Sequence, residues 1–502
     1  MDMLADLGAG FGAILSPTTL FFCFAGVTLG TLVGALPGLG ALVAISLSLP
    51  FTFRLDPTDA LVMLAGIFYG AQYGGSTASI LLNVPGTPSS AITCLEGYPL
   101  ARQGKAGTAL VVAALASFIG GSIAIVLLMF FAPALGAFAL RFSPFEYFSV
   151  MFLALACSFS VSSGSPLKGL LMTIAGLALG TVGTDSQTAT LRYTFGQYGL
   201  ADGVSLVAMA MGVFGVAEIL EALNRPAATV RQQVSLRSMI PTRAQMKESF
   251  LPSLRGSLIG FFTGILPGAG PSIATMMSYS AEKRLAREPG RFENGALAGL
   301  ASPEAANNAS VQAAFIPTLS LGIPGDVVMA VLIGALLIHG ITPGPSFVTE
   351  HKEMFWTLVA SFWIGNVMLL VLNVPMIGLW VRLLHLPGRY LHPMILLLIA
   401  LGVYSVRTNP LDVAVTGFFG VAGIVMKRNG YPAMPLLMGF VLGPLMEAHF
   451  QRAMLISEGD LLMFAERPIS GLFMAAAMVF MGFAARDLLP SKKGEADAKA
   501  AT

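Results

Sequence analysis

The chain has 502 residues, of which 55% are AVILMFWYC and only 11% are charged, with 56 glycines besides. A soluble domain carries about 25% charged residues, so a soluble enzyme, a disordered chain and a fibrous repeat are all excluded, in line with the mean hydropathy of +0.78. The 28 basic and 26 acidic residues leave a net charge of +2 and no nucleic-acid signature. The class expected is an all-α polytopic membrane protein. Cys23, Cys94 and Cys157 lie in or beside apolar stretches, without disulfide or metal spacing. The first 50 residues hold Asp2 and Asp6 and no Lys or Arg. No basic leader is present, so the first apolar segment is expected to stay as a membrane helix.

A membrane helix needs about 20 apolar residues. In chain order the candidates are 18–36, 59–82, 107–135, 144–163, 166–183 and 201–222, then 251–266, 296–321, 326–341, 353–384, 391–406, 410–426, 433–447 and 470–486. Shorter apolar pieces lie at 39–53, 88–95, 271–280 and 315–323. The expectation is about ten to fourteen membrane helices and half-helices.

Pro-Gly pairs punctuate the short pieces: Pro37-Gly38, Pro85-Gly86, Pro267-Gly268 and Pro324-Gly325. Pro removes a backbone donor and Gly loosens the backbone. At membrane depth, such breaks survive only inside protein or beside a polar cavity. The stretch 225–255 holds Arg225, Arg231, Arg237, Arg243, Lys247 and Arg255 against Glu248 alone. It reads as a cytoplasmic connector. Residues 281–295 read as a second charged loop, 491–502 as a disordered tail, and the polar run with Asp185 and Asp202 as an extramembrane loop.

Gly30–Gly40 (GTLVGALPGLG) and Gly260–Gly270 (GFFTGILPGAG) share one pattern at an offset of 230. Asn83–Thr87 (NVPGT) and Gly322–Asp326 (GIPGD) follow in the same order at an offset of 239. The chain therefore reads as two homologous halves, 1–224 and 256–490, expected to be inverted copies with Pro-Gly-broken re-entrant segments. Paired broken segments mark the binding site of secondary transporters. Half-helix N-termini suit an anion, and carbonyls at half-helix C-termini suit a cation.

The substrate residues expected are Pro37, Gly38, Gly40, Ser76, Thr77, Asn83, Pro85, Gly86, Thr87, Pro267, Gly268, Gly270, Ser272, Pro324 and Gly325. The cation residues expected are Asn83, Asn307, Asn308 and Asp326. Neutral hydroxyls and amides donate to carboxylates and offer oxygen to Na⁺; interhelical hydrogen bonding is the competing use. Ser302-Pro303-Glu304 reads as N-cap, Pro at N1 and a first-turn acid. Asp326 reads as a cap for the helix after it, and His339 as a residue near a helix end. No phosphate loop, HExxH, CxxC, GxSxG or Arg-rich helix occurs, which argues against an ATPase, an intramembrane enzyme and a voltage sensor.

GALPGLG, YGGSTASILLNVPGTPSSAITCLEGYPLARQGKAGTAL, LPGAGPSIATMMSYSAEKR, SPEAANNAS, GIPGD and LIHGITPGP closely resemble the large membrane subunit of the tripartite tricarboxylate transporters, the TctA family. The resemblance runs from about Gly10 to Pro490. It implies a multi-pass protein of the bacterial inner membrane that works with a small four-helix membrane subunit and a periplasmic solute-binding protein. It also implies uptake of a carboxylate coupled to Na⁺ or H⁺, with no cofactor and no metal apart from a coupling Na⁺. An anion-conducting channel on the same broken helices is the alternative expectation.

Overall fold

The computed structural model describes residues 3–36, 40–161, 165–185, 188–223, 239–378, 380 and 388–486. Twenty-one α-helices cover most of them: α1 Met3–Ile14, α2 Pro17–Ala35, α3 Gly40–Thr52, α4 Pro57–Leu82, α5 Ala91–Leu100, α6 Ala106–Ala139, α7 Pro144–Val161, α8 Pro166–Gly180, α9 Leu206–Ala210, α10 Ala217–Ala222, α11 Arg243–Ile265, α12 Gly270–Leu285, α13 Leu297–Leu321, α14 Val327–Ile338, α15 Phe347–Glu350, α16 Lys352–Asn373, α17 Gly388–Arg407, α18 Pro410–Arg428, α19 Ala433–Ile456, α20 Met463–Glu466 and α21 Pro468–Arg486. Among the described residues the strands are one short antiparallel pair, Gly183–Thr184 with Leu191–Arg192. The protein is an all-α polytopic membrane protein.

Among the described residues, five helical stretches are long and apolar enough to cross a membrane: α2, Pro88–Ala139, α16, α18 and α19. Two longer helices fall outside that set for a physical reason. α4 (26 residues) and α13 (25 residues) carry Gln72, Ser76, Thr77, Glu304, Asn307 and Asn308, and are buried along nearly their whole length. Neighbouring helices, not lipid, surround them. The apolar piece at 315–323 is not a separate element; it is the end of α13 and its αL cap, Gly322. The span expected at 353–384 is α16, which ends at Asn373. The one expected at 201–222 begins at Leu206 and passes through a π turn, Met211–Val216. The end of the basic stretch is helical: Thr242 and Gln245 form a capping box that starts α11 at Arg243. Arg225, Arg231 and Arg237, like the tail 491–502, lie outside the described residues.

The chain divides into two compact units that draw on both halves of the sequence. The first comprises residues 1–140, 207–266 and 270–421. Within it α2 packs on α4, α11 on α13, and α6 and α16 close around them. Small residues let these backbones touch. A methyl at Gly26, Gly30 or Gly34 of α2 would run into the carbonyls of Met63, Ile67 or Ala71 on α4. A methyl at Gly256, Gly260 or Gly264 of α11 would run into the carbonyls of Ser302, Ala306 or Ser310 on α13. The glycines are related by 230 and the carbonyls by 239, the two offsets of the sequence motifs.

The second unit comprises residues 141–206, 267–269 and 422–502. Its described part is built on α7, α8, α19 and α21, with Gly176 and Gly439 at the α8–α19 contact. Glu146 pairs with Arg467 at 3.0 Å. Arg192, in the short strand pair, binds Glu447 at 2.8 Å.

Candidate functional site

Helix breaks build the site in the first unit. α4 ends at Asn83, whose φ of 56° is left-handed and whose N–H bonds Ser79 O. Asn is among the few non-glycine residues that adopt this conformation readily, so the cap explains Asn83, an exposed residue. The chain then turns through Pro85, Gly86 and Thr87 back onto α4. Gly86 sits between two backbones: a Cβ there would lie 2.7 Å from Gly75 Cα and closer still to Gly34 O. Gln72 Oε1 holds the turn by accepting from Ser89 Oγ at 2.7 Å and Thr87 Oγ1 at 3.3 Å. Ser79 Oγ ties down Ser90 at 2.9 Å.

The second half has a similar turn built from other residues. Gly322 (φ 70°) is the αL cap of α13, the position 239 after Asn83. Gly325 packs on Ala314, and Asp326 caps α14 by accepting from Met329 N at 2.8 Å. Gly40 opens α3 and Gly270 opens α12, both with φ +60°, a conformation that glycine adopts without strain. A Cβ on Gly270 would sit 3.6 Å from Asp326 Cβ. α3 packs against α14, and α12 against the turn Pro88–Ser90. In this way the elements that follow the breaks pair across the two halves. Pro37 and Gly38 lie outside the described residues, and Ser272, in the first turn of α12, is half-buried. Pro267 and Gly268 belong to the second unit, where Gly268 (φ +83°) lies against Ser158.

Glu304 corrects the sequence reading. Ser302, Pro303 and Glu304 are not at a helix start; α13 begins at Leu297, so they lie in its second turn. The true start is capped from elsewhere. Glu96 on α5 is fully buried and accepts from the N–H groups of Glu293 (2.6 Å), Gly295 (2.9 Å) and Ala296 (2.8 Å) and from Tyr279 Oη (2.8 Å). Glu304 is thereby carried into the core at 1% exposure. Its carboxylate accepts from Ser76 Oγ at 2.7 Å, from Ser117 Oγ at 3.1 Å and from Thr93 Oγ1. Three helices, α4, α5 and α6, thus aim hydroxyls at one carboxylate on a fourth. Sequence reasoning singled out Ser76 and Thr77 but missed Thr93, Glu96 and Ser117, whose partners are about two hundred residues away.

One turn further along α13, both side-chain amide atoms of Asn307 and the hydroxyl of Ser310 are buried with no partner among the described residues, as is Gln312 Oε1. Ser46 Oγ of α3 is in the same state. Ser310 lies against Gly264 in the last turn of α11. Asn308 bonds back to the Glu304 carbonyl at 3.3 Å. A buried donor without a partner costs about 1–3 kcal/mol, a cost that a hydrogen-bonding ligand removes.

Broken helices enclosed by membrane-type helices, with polar atoms held between them, define a polytopic membrane protein of the transporter class. The chain belongs to the tripartite tricarboxylate transporter TctA family, whose sequence profile matches residues 20–438. This is a transporter family and not an enzyme family, and as part of a tripartite system its members work with further subunits. The chain is 46% identical over 497 residues (99% of this chain, 98% of the relative) to an Agrobacterium vitis protein described as the uncharacterized 52.8 kDa protein in the TAR-I ttuC' 3'region. It is also 46% identical over 238 residues, 47% of this chain and 97% of the relative, to an uncharacterized protein in the TAR-II ttuC' 3'region of that organism. No solved structure matches the chain.

Proposed function

We propose that this chain is the large transmembrane subunit of a binding-protein-dependent, cation-coupled secondary importer of carboxylates in the bacterial inner membrane. Its partners in this reading are a small four-helix membrane subunit and a periplasmic solute-binding protein. The observation that carries it is the set of buried, unpartnered polar groups of Asn307 and Ser310 on α13 and Ser46 on α3. Hydroxyl and amide donors, with the N-termini of α3 and α12, suit a carboxylate. No Lys or Arg occurs in 55–101 or 292–351. A di- or tricarboxylate entering this region is then neutralised by helix dipoles and by co-transported Na⁺ or H⁺, which gives coupling a physical reason. The resemblance between the two halves, in motif, helix boundary and glycine contact, supports reading them as copies of one unit.

The test is uptake of labelled citrate and dicarboxylates by proteoliposomes holding both membrane subunits, with the binding protein outside. Accumulation above equilibrium that collapses with the cation gradient is expected. Equilibration only, without dependence on a gradient, means an anion channel and defeats the reading. Asn307→Ala is expected to cut uptake while leaving assembly with the small subunit intact.

A further inference from the structure

We propose that Glu304, together with Ser76, Thr77, Ser117 and Asn373, binds one Na⁺ ion inside the first unit. Three observations carry this.

The first is charge. Hydroxyls reach both oxygens of the Glu304 carboxyl, Thr93 at one and Ser76 and Ser117 at the other, so its ionised form would find donors on both sides but no opposite charge. A buried, uncompensated carboxylate costs several kcal/mol. The helices around it bring no compensation. α4, α5, α6 and α13 contain no Lys, Arg or His; α16 has only Lys352, at its first residue, and that side chain pairs with Asp6 at 2.7 Å. α11 and α12 also pack on α13, but Arg255 and Lys283 there pair with Glu282 and Glu293, and Arg243, Lys247 and Arg284 are exposed.

The second is space. A cavity of about 10 Å³ lies against Glu304, lined also by Tyr73, Ser76, Thr77, Ser117 and Asn373. That is room for about one water-sized particle. A carboxylate substrate does not fit, and an alkali ion as small as Na⁺ does.

The third is an orphaned ligand atom. Asn373 is 4% exposed, and its Oδ1 has no partner among the described residues. Its Nδ2 donates to Leu369 O at 2.9 Å, which fixes which end of the amide is left over. Asn366, two turns earlier on α16, shows the contrast. It accepts from Tyr73 Oη at 2.7 Å and donates to Phe118 O at 3.0 Å and Ser122 Oγ at 3.1 Å. The cavity therefore presents one carboxylate, one amide oxygen and hydroxyl oxygens that turn their lone pairs inward by rotating. An all-oxygen set of this kind suits a hard cation. A proton on Glu304 neutralises the charge but leaves the second acceptor to be satisfied; a cation satisfies both.

The site stands independently of transport, but its role as the coupling-ion site rests on the reading above. The experiment separates the two. The full-length protein in nanodiscs is melted in NaCl, KCl or choline chloride at constant ionic strength. A saturable rise in Tm specific to Na⁺ is expected, since a ligand bound to the folded state stabilises it. Glu304→Gln is expected to abolish that rise. Asn373→Ala keeps the carboxylate and is expected to move the Na⁺ midpoint about tenfold higher, so the proposal stays testable if the Glu304 variant does not fold. Equal melting in Na⁺ and choline overturns the site, as does a full Na⁺ response in both variants. A stabilisation that follows pH instead of Na⁺ and vanishes in Glu304→Gln also overturns it, in favour of a proton site. Na⁺ binding that needs Glu304, alongside uptake indifferent to Na⁺, upholds the site and removes the coupling role.

Discussion

Gly86 and Gly325 occupy the same place in their motifs, yet the structure gives them different loads. A Cβ on Gly86 would come within 2.7 Å of Gly75 Cα, nearer still to Gly34 O, and 3.2 Å from Gly75 O. Ordinary contact begins at 3.4 Å, so α4 must retreat by about 0.7 Å, and α2 by more. Both obstacles are backbone in packed helices, and neither has a rotamer through which to yield. A Cβ on Gly325 meets Ala314 Cβ at 2.9 Å and Ala314 Cα at 3.2 Å, on one helix only. Overpacking costs about 1–3 kcal/mol and occasionally more. Gly86→Ala is therefore expected at or above the top of that range, and Gly325→Ala near the bottom. Gly12, exposed on α1 with nothing within 4 Å of its Cβ, is the control; alanine there gains up to about 1 kcal/mol of helix propensity. Thermal unfolding of the three purified variants in one detergent gives the order. If Gly86→Ala melts with Gly12→Ala, the three-way contact of α2, α4 and the turn does not exist, and the site built on it falls.

Asp326→Asn is expected to hold stability within about 0.5 kcal/mol, because Asn caps nearly as well as Asp; any altered cation dependence of uptake then belongs to the charge. Glu96→Gln leaves one acceptor oxygen for four donors and turns an NH2 toward backbone N–H groups. A loss of about 2–4 kcal/mol is expected in thermal unfolding, and native-like stability would refute its role as the remote cap of α13. A cysteine at Ser238, outside the described residues, is expected to resist an impermeant thiol reagent added to intact spheroplasts; ready labelling reverses the topology. An experimental structure in which 18–135 superposes on 251–384 with opposite membrane orientation would bear out the inverted repeat, and parallel orientation would defeat it.

What the sequence made legible is local. Pro-Gly pairs announce the breaks because Pro and Gly act on their own backbone. The end of α4 at Leu82 is read correctly; its start, expected at 59, is Pro57, where Asp56 accepts from Thr58 N at 2.8 Å. Glu304 shows where such reading stops. Ser-Pro-Glu has the local signature of a helix start, but Glu96, on another helix, caps α13 earlier and carries the signature into the helix interior. The three hydroxyls on Glu304 come from 187 to 228 residues away, and no window of sequence contains that distance.

The proposed ion site and the spacing of the motifs obey different rules, and this yields a last prediction. Shifted by 239, Glu304 falls on Ala65, Ser76 on Phe315 and Thr93 on Leu332. The contacted carbonyls and the αL caps recur at this spacing, whereas none of the three hydroxyls on the carboxylate does, Ser117 falling on Trp356. One scaffold pattern thus holds one ion site, not two. Ala65 is fully buried, so Ala65→Glu places a second carboxylate in the equivalent frame without donors or counter-charge. An unpaired buried charge costs about 3–5 kcal/mol. Ala65→Glu is expected to lower Tm steeply, to add no second Na⁺ equivalent by ²²Na⁺ binding, and to fail to rescue Glu304→Ala. If the variant folds with wild-type stability and doubles the Na⁺ stoichiometry, the frame itself makes the site, and the hydroxyls of Ser76, Thr93 and Ser117 are dispensable.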